Sequence, residues 1–590
     1  MKKLLSALII ISLSVSLFAY AESDYSDWAK DYIDTALSVG ILPQDMQNNY
    51  KNDITRLEFA NIAVSLISRL YGVSEDILTK DIDTSVFKDT NDKNVSVAYA
   101  FGIVEGDEYG YFNPQNSITR QEAAKILVCT YYSCIGNTLP LSDKNADFTD
   151  YATSSDWAKP YISTVCELSI MTGTEDGSFL PFDTYTKEQA IITFIRIYNL
   201  IKDNDLITPK FNNKNPEITD SVTTKDGRLY AGDKEVILNG INLGGWLIME
   251  SWMCPLYDPK AEIAYSDILS ILNKRFGKEK TNELIKTYQD NFITENDFKI
   301  IEGLGFNCVR IPFWYKNFTD NNGNIIKNSD GYKYIDFALE QCKKHNLYAI
   351  LDMHGCPGGQ SVDHSTGTIG KNELYDNKKN LDIMESLWVD IAKHYKDNKY
   401  VLAYDIMNEP QNNGGKNYKN AWEPESEEAV SRTNSVYDRM IKAIRAVDKD
   451  HLISVEGIWT LNVLPNPTTM GWTNMLYQLH LYDTTEGMID YRISECTTSR
   501  DDFDIACLVG EYNNKSFEKL ATSKYIDNKI SRIKWTYKTL SVNYDGWGLY
   551  DKDFKKLDIN TALYTEIRDA FKSLSTNFFK LNLLEYNMIK

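Results

Sequence analysis

Residues 348–354 (YAILDMH) and 401–410 (VLAYDIMNEP) each begin as a short apolar run and end in polar or charged side chains. Runs of this kind are typical of strands that are buried on both faces of a parallel sheet. Amphipathic helical stretches separate the runs, and this alternation predicts an α/β fold, a (β/α)8 barrel. The eight predicted strands are 236–243, 308–313, 348–354, 401–407, 452–457, 475–482, 507–512 and 546–550.

The predicted strands end in side chains that carry chemistry. A barrel of this kind places its active site at the carboxyl ends of the strands. The residues at those ends are Arg310, His354, Asn408, Glu409, His480, Tyr482, Glu511 and Trp547. Two carboxyl groups facing each other among such residues are what cleavage of a glycosidic bond requires.

The two glutamates receive different predicted roles. One carboxyl group must begin protonated to donate to the leaving oxygen, and the other must be ionised to attack the anomeric carbon. We assign Glu409 as the general acid and base and Glu511 as the nucleophile. Arg310 is expected to hold the charge of Glu511 and lower its pKa, while Tyr482 donates a hydrogen bond to it.

Neighbouring residues have supporting roles in this interpretation. Asn408 is positioned to bond the 2-hydroxyl of the sugar, and Trp547 offers a flat apolar floor for the ring. Asp352 is expected to orient His354. Glu456, at the end of the fifth predicted strand, either supports the site from behind or lines a sugar subsite.

With these eight positions in order, residues 227–575 resemble glycoside hydrolase family 5. The resemblance implies a retaining (β/α)8 enzyme that needs no cofactor or metal. Residues 240–252 and 354–360 resemble the branch that contains exo-β-1,3-glucanases, in which the acid at the position of Glu250 helps to hold the terminal glucose. His364 stands where fungal members tend to have Asn, so the choice between exo and endo action stays open.

The first part of the chain contains a threefold internal repeat between residues 26 and about 202. In each copy a threonine precedes a helix and an acid or amide follows three residues later, which predicts a capping box. The three pairs are Thr55 with Glu58, Thr119 with Glu122, and Thr186 with Gln189.

These repeats resemble S-layer homology domains, which implies attachment to an anionic wall polysaccharide of a Gram-positive-type bacterium. A helix N-terminus with exposed amides and a cation beside it binds anions. Arg56, Arg120 and Lys187 are the candidate cations for this polymer. The alternative interpretation is three ordinary capping boxes without a ligand.

The domain organisation follows from these segments. Met1-Lys2-Lys3, an apolar run and Ala19-Tyr20-Ala21 predict a secretory signal. The predicted parts are 1–21 signal peptide, 22–202 S-layer homology repeats, 203–225 linker, 226–575 barrel and 576–590 C-terminal extension.

Composition narrows the function further. The chain has 590 residues with 63 Lys and Arg against 83 Asp and Glu, a net charge of −20. This acidity argues against nucleic acid or an anionic membrane as the main partner. The two family resemblances together imply a secreted, wall-anchored retaining β-glucan hydrolase with β-1,3 linkages favoured. A β-1,4-glucanase, a mannanase and a non-catalytic polysaccharide-binding protein are the alternatives.

Overall fold

The computed structural model describes residues 24–80, 82–136, 141–411, 426–541 and 547–590. The predicted signal segment 1–21 lies outside these residues. Within them, one hydrophobic core belongs to the N-terminal helices and two belong to a barrel that follows. None of the helices in these ranges is both long and apolar enough to cross a membrane.

Six helices in three pairs build the N-terminal unit. They are α1 (Lys30–Val39), α2 (Arg56–Tyr71), α3 (Lys93–Ala100), α4 (Arg120–Ile135), α5 (Lys159–Glu167) and α6 (Lys187–Asp203), with a short helix at Glu75–Leu78 and 3-10 turns at Asp27–Ala29, Gln44–Met46 and Tyr151–Thr153. Thr55, Thr119 and Thr186 each cap the second helix of a pair in a capping box, which confirms the predicted caps.

The three helix pairs close into a ring. Backbone bridges join Asp53 to Thr186, Thr55 to Ser117, and Thr119 to Thr184, so each repeat contacts the other two. Each repeat therefore has a neighbour on both sides, and the apolar faces of all six helices meet in one shared core.

Eight parallel strands form a closed barrel, which confirms the predicted fold class. The strands are β1 (Asn239–Asn242), β2 (Cys308–Trp314), β3 (Tyr348–Gly355), β4 (Val401–Asp405), β5 (Leu452–Glu456), β6 (Met475–Leu481), β7 (Ala506–Tyr512) and β8 (Ser531–Lys534). Each strand pairs with the next, and β8 pairs with β1.

Helices surround the barrel and small sheets close its ends. The helices are α7 (Tyr265–Phe276), α8 (Lys278–Phe292), α9 (Glu295–Gly303), α10 (Asp330–His345), α11 (Lys378–Tyr395), α12 (Glu427–Arg445), α13 (Glu486–Phe503), α14 (Glu518–Asp527), α15 (Tyr564–Lys572) and α16 (Leu583–Ile589), with a short one at Pro467–Met470 and 3-10 turns at Tyr315–Asn317, His364–Thr366, Leu461–Val463, Lys515–Phe517 and Thr576–Phe578. The other strands are Val222–Lys225, Arg228–Ala231 and Lys234–Val236 in one sheet, Lys538–Ser541, Tyr550–Asp553 and Lys580–Leu581 in a second, and Leu256–Tyr257 with Leu557–Asp558 in a third.

The eighth barrel strand is not the one that the sequence predicted. Residues 546–550 were expected in this position, but β8 is Ser531–Lys534, and Tyr550–Asp553 lies in the second small sheet. The prediction was wrong because β8 is polar in sequence. Lys534 is fully buried, and its Nζ lies 3.1 Å from Glu518 Oε1 and also contacts Glu585, so partners remote in sequence neutralise it.

Residues 213–224 of the predicted linker contact the barrel at several points, so this part is not a free linker. Lys214 pairs with Glu302 at 2.8 Å, and Asn213 bonds the carbonyl of Gly303. Val222 joins the small core beneath the amino ends of the barrel strands. The boundary predicted at residue 226 therefore falls inside a packed segment.

The C-terminal extension connects the two units. In α16, Leu584 and Met588 belong to the core of the N-terminal helices, while Tyr586 and Ile589 belong to the barrel core. Asn587 Nδ2 donates to Tyr71 Oη at 2.8 Å. One short helix thus has a face in each core and holds the units together.

Replacing Lys534 with Met should lower the free energy of unfolding by about 3 kcal/mol, because Glu518 and Glu585 then lose the cation that compensates them. Urea denaturation followed by tryptophan fluorescence measures the change. Lys529→Met is the control, since Lys529 is half exposed and its pair with Glu235 contributes roughly 0 to 1 kcal/mol. Equal losses in both variants would contradict the buried network.

Candidate active site

A buried arginine organises the carboxyl end of the barrel. Arg310 lies on β2 with no exposed surface. Its Nη1 contacts Glu511 Oε1 at 2.6 Å, its Nε contacts Asp405 Oδ2 at 2.9 Å, and its Nη2 lies 3.1 Å from Asp352 Oδ2. Nη2 also donates to Asn408 Oδ1 at 2.8 Å. The planar guanidinium therefore fixes four acceptors at the carboxyl ends of three different strands, β3, β4 and β7.

Glu511, at the end of β7, has both oxygens engaged. Arg310 binds Oε1, and Tyr482 Oη donates to Oε2 at 2.6 Å, as the sequence predicted. The predicted direction of its pKa was wrong: burial raises the pKa of Glu511, and the favourable charge of Arg310 offsets only part of this effect. Sequence gives the partners of a carboxyl group but not its desolvation.

Glu409 follows β4 in a sharp turn with φ of 42°, in the left-handed region. Its backbone N–H donates to Glu456 Oε2 at 2.8 Å, and this contact helps to hold the strained turn. Burial raises the pKa of its carboxyl group to about 7. A carboxyl group with this pKa still carries a proton near neutral pH, as a general acid must.

His480 lies between the two glutamates. Its Nδ1 is 2.8 Å from Glu409 Oε1 and 3.5 Å from Glu511 Oε2. Burial lowers the pKa of this imidazole to about 3, so the ring is neutral over the working pH range. One nitrogen touching both carboxyl groups favours the short separation, roughly 5 to 5.5 Å, of retaining glycosidases over the longer separation of inverting ones.

His354 is oriented from two sides. Its Nδ1 contacts Asp352 Oδ2 at 2.7 Å, as predicted, and its ring stacks on Trp535 with centroids 5.5 Å apart. Burial disfavours the charged imidazole, but the Asp352 carboxylate outweighs it and the pKa rises to about 9. His354 is therefore a cation beside Asn408 at neutral pH.

Aromatic side chains surround the mouth of the site. Trp547 does not end a barrel strand as predicted; it lies after β8, with ring contacts to Trp252 at 5.6 Å and to Tyr482 at 5.7 Å between centroids. The residue that directly follows β8 is Trp535. Trp547 does not hold the predicted strand-end position because the eighth strand is Ser531–Lys534 and not residues 546–550.

Glu250 lies beside Trp252 on one side of the candidate active site. Trp252 Nε1 donates to Glu250 Oε2 at 2.8 Å, and His364 Nε2 lies 3.5 Å from the same oxygen. Burial opposes the charge on His364, yet Asp363 and Glu250 raise its pKa to about 10. Glu250 Oε1 is buried and has no hydrogen-bond partner in the described part of the chain.

Sequence reasoning missed several polar residues at the base of the site. Asn242 Oδ1 accepts from Arg310 Nη1 at 3.1 Å, and Gln478 Nε2 donates to Asp405 Oδ1 at 2.5 Å. Gln478 lies inside the largely apolar strand β6, where a polar residue is the signal, whereas Asn242 is the last residue of β1 and gives no such signal. Such residues are worth noting because a buried polar group needs a partner.

One cluster in the described residues has the spacing of a metal site. Glu409, Glu456 and His480 offer atoms that lie within 4.8 Å of one another. Two hydrogen bonds explain why these three side chains lie together. Glu456 Oε2 accepts from the Glu409 N–H, and His480 Nδ1 pairs with Glu409 Oε1. We therefore interpret the cluster as a hydrogen-bonded chain.

Comparison with known families agrees with this geometry. Residues 273–555 match the model of the cellulase family, glycosyl hydrolase family 5. The matched segment spans barrel strands β2 to β8 and contains both candidate glutamates, Glu409 and Glu511. Residues 88–124 and 147–191 match the S-layer homology domain, which covers the second and third repeats of the N-terminal unit.

Curated relatives of the barrel are glycosidases with different names. A β-xylosidase of Phanerodontia chrysosporium is 29% identical over 44% of this chain and 50% of its own length. A glucan 1,3-β-glucosidase of Pichia angusta is 30% identical over 31% of this chain and 41% of its own, and endoglucanase C of Acetivibrio thermocellus is 30% identical over 34% and 52%. The chain spans about half the length of these relatives.

The helix N-termini of the S-layer-type unit are not free anion sites. The N–H groups of Arg56, Arg120 and Lys187 donate to the carbonyls of Asn116, Asp183 and Asn52 in the neighbouring repeats. The expectation of exposed amides was wrong because the repeats pack against one another at these turns.

The three candidate cations also have partners inside the unit. Arg56 Nη1 lies 3.4 Å from Glu122 Oε1, and Lys187 Nζ lies 2.6 Å from Glu58 Oε1. Arg120 is buried and donates to two backbone carbonyls. Arg56 also lines a surface cavity of about 320 Å³.

Replacing Glu409 with Gln should stabilise the protein at pH 8 by roughly 2 to 4 °C in Tm. Because burial raises the pKa of Glu409 to about 7, the native state holds a proton that the unfolded state releases near pH 4.5. Wild type therefore loses stability relative to the variant as pH rises from about 4.5 through 7, and the two converge at pH 4.

Calorimetry at pH 4, 6 and 8 measures this difference. Glu279→Gln, on the exposed surface of α8, is the matched control and should give no comparable trend. A Tm difference for Glu409→Gln that does not change with pH would contradict the raised pKa.

Proposed function

We propose that this protein is a retaining β-glucan hydrolase that favours β-1,3 linkages and is held at the cell wall. The observation that carries the enzymatic part is the placement of Glu409 and Glu511 on either side of His480 Nδ1, each with the partners its role requires. The family 5 match to residues 273–555 supports the same reaction class.

In the first step Glu511 attacks the anomeric carbon while Glu409 donates its proton to the leaving oxygen. Arg310 and Tyr482 hold the Glu511 carboxylate in one orientation, so little reorganisation precedes attack. Glu409 keeps its proton to about pH 7 because it is buried. The bond to the leaving sugar breaks and a covalent glycosyl-Glu511 ester forms.

In the second step the ionised Glu409 takes a proton from water, which attacks the same anomeric carbon. The carbon–oxygen bond to Glu511 breaks, and its carboxylate returns to Arg310 and Tyr482. Two inversions at one carbon give net retention. Asn408 is held by Arg310 in a position to bond the 2-hydroxyl.

The proposed preference for β-1,3-glucan rests on the side of the active site that contains Glu250. Its buried Oε1 lacks a partner in the described residues, and the indole rings of Trp252 and Trp547 lie beside it. A terminal glucose with its hydroxyl groups toward Glu250 and His364 would satisfy this oxygen. A β-1,4-glucanase is the second candidate, supported by the endoglucanase among the relatives.

A product profile tests the assignment. Laminarin, carboxymethylcellulose, barley mixed-linkage glucan and mannan are incubated with the mature protein, and the products are resolved by chromatography and mass. Glucose from laminarin is expected, with Glu511→Ala reducing turnover more than about 1,000-fold. Cellulose-derived oligosaccharides as the main product would transfer the assignment to the second candidate, and no hydrolysis of any glycan by wild type would leave only a binding protein.

We propose further that the N-terminal unit binds a wall polysaccharide at the cavity beside Arg56. Two S-layer homology matches support a wall-binding role, and the first repeat has the same capped-helix pattern. The cavity also contains Lys125 and the half-exposed indole of Trp157, which suit an anionic sugar.

Sedimentation of the full chain with purified Gram-positive-type cell walls tests this attachment. Arg56→Gln and Trp157→Ala should each reduce the sedimented fraction at least about threefold, because each removes one contact of roughly 1 kcal/mol. Lys144→Gln, an exposed lysine of the same unit, should sediment like wild type. Unaltered sedimentation of both cavity variants would exclude this cavity as the site.

A further inference from the structure

Glu456 is a buried carboxylic acid that the two-step mechanism does not use. It lies at the end of β5 with 1% of its surface exposed. Its Oε2 accepts the Glu409 N–H at 2.8 Å, and its Oε1 lies 3.3 Å from His480 Nε2. Both Oε1 and Nε2 are buried atoms without a hydrogen-bond partner in the described residues, and each is a polar neighbour of the other. The two atoms therefore depend on each other.

The position of the single ring proton of His480 follows from its surroundings. The ring is neutral, so only one of its nitrogens carries hydrogen. Nδ1 faces Glu409 Oε1 at 2.8 Å and Glu511 Oε2 at 3.5 Å. A lone pair at Nδ1 would be repelled by the ionised Glu511 carboxylate, and by Glu409 once that residue has given up its proton, whereas an N–H there is attracted to both. The proton thus belongs on Nδ1.

Nε2 then carries a lone pair, so it can form a hydrogen bond with Glu456 only when Glu456 Oε1 carries a proton. The charged groups around Glu456 agree with a neutral carboxyl group. Burial first, and then the Glu409 and Asp405 carboxylates, raise its pKa well above the ordinary value, while Arg310 opposes them.

We propose that Glu456 is a positioning residue: as a neutral carboxylic acid it donates to Nε2 of His480 and fixes the tautomer in which Nδ1–H faces Glu409 and Glu511. This inference rests on the proposed function for the roles of those two glutamates. The Nδ1–H then stabilises the negative charge that Glu409 acquires when it gives up its proton, without itself losing one.

Two substitutions separate this role from mere packing. In Glu456→Gln the amide oxygen accepts the Glu409 N–H, so the amide NH2 faces Nε2 and still donates to it. In Glu456→Leu no donor remains. With 4-nitrophenyl β-glucoside, kcat should fall less than about threefold for Glu456→Gln and about tenfold to hundredfold for Glu456→Leu, with KM altered little.

The opposite assignment predicts a different order. An ionised Glu456 that accepts from Nε2–H needs two acceptor oxygens, and Gln supplies only one beside the Glu409 N–H. Glu456→Gln would then lose as much kcat as Glu456→Leu. That result would overturn the proposal.

Nitrogen NMR gives a readout that does not depend on turnover. The chain has six histidines, and with ¹⁵N-labelled histidine the His480 signals are those lost in His480→Phe. We expect the Nδ1–H tautomer in wild type and in Glu456→Gln, and a mixture or the Nε2–H tautomer in Glu456→Leu. An Nε2–H tautomer in wild type would refute the proposal even if the protein hydrolysed no glycoside, so the two failures are distinguishable.

Discussion

The guanidinium of Arg310, without access to water, is the interaction on which the rest of the site depends. A buried cation is costly unless it is paired and fully hydrogen-bonded. Here Asp352, Asp405 and Glu511 supply charge, and amides complete its coordination. The three carboxylates lie on three different strands, β3, β4 and β7, so the barrel must close in the correct register before the arginine is satisfied.

From this centre the two catalytic candidates acquire different properties. Glu511 is held by Arg310 and Tyr482, whereas Glu409 lies on a strained turn against the neutral ring of His480. Identical side chains thus have unequal environments, which is how one site supplies an acid and a nucleophile at the same pH. Glu456 belongs to this arrangement through the far side of the imidazole.

The sequence predicted the elements that a local residue pattern determines, and it failed for the features that contacts between distant residues determine. Seven barrel strands were located by their apolar runs, and the threonine caps by a four-residue signal. β8 was missed because a lysine in a short polar segment is expected to be exposed. Lys534 is buried because it pairs with Glu518 and Glu585, which the fold places beside it. A free backbone N–H at Arg56 was expected because the sequence of one repeat does not show that the carbonyl of Asn116, in the next repeat, accepts from it. For the same reason, the desolvation that raises the pKa of Glu511 was not foreseen.

Covalent trapping tests the central claim most directly. Wild type is incubated with a 2-deoxy-2-fluoro β-glucosyl fluoride, a substrate class that slows breakdown of a glycosyl-enzyme, and the digested protein is analysed by mass spectrometry. The account predicts one sugar attached to the peptide that contains Glu511, with Glu511→Gln unlabelled. A sugar on another residue, or hydrolysis of glucan with inversion at the anomeric carbon, would contradict it.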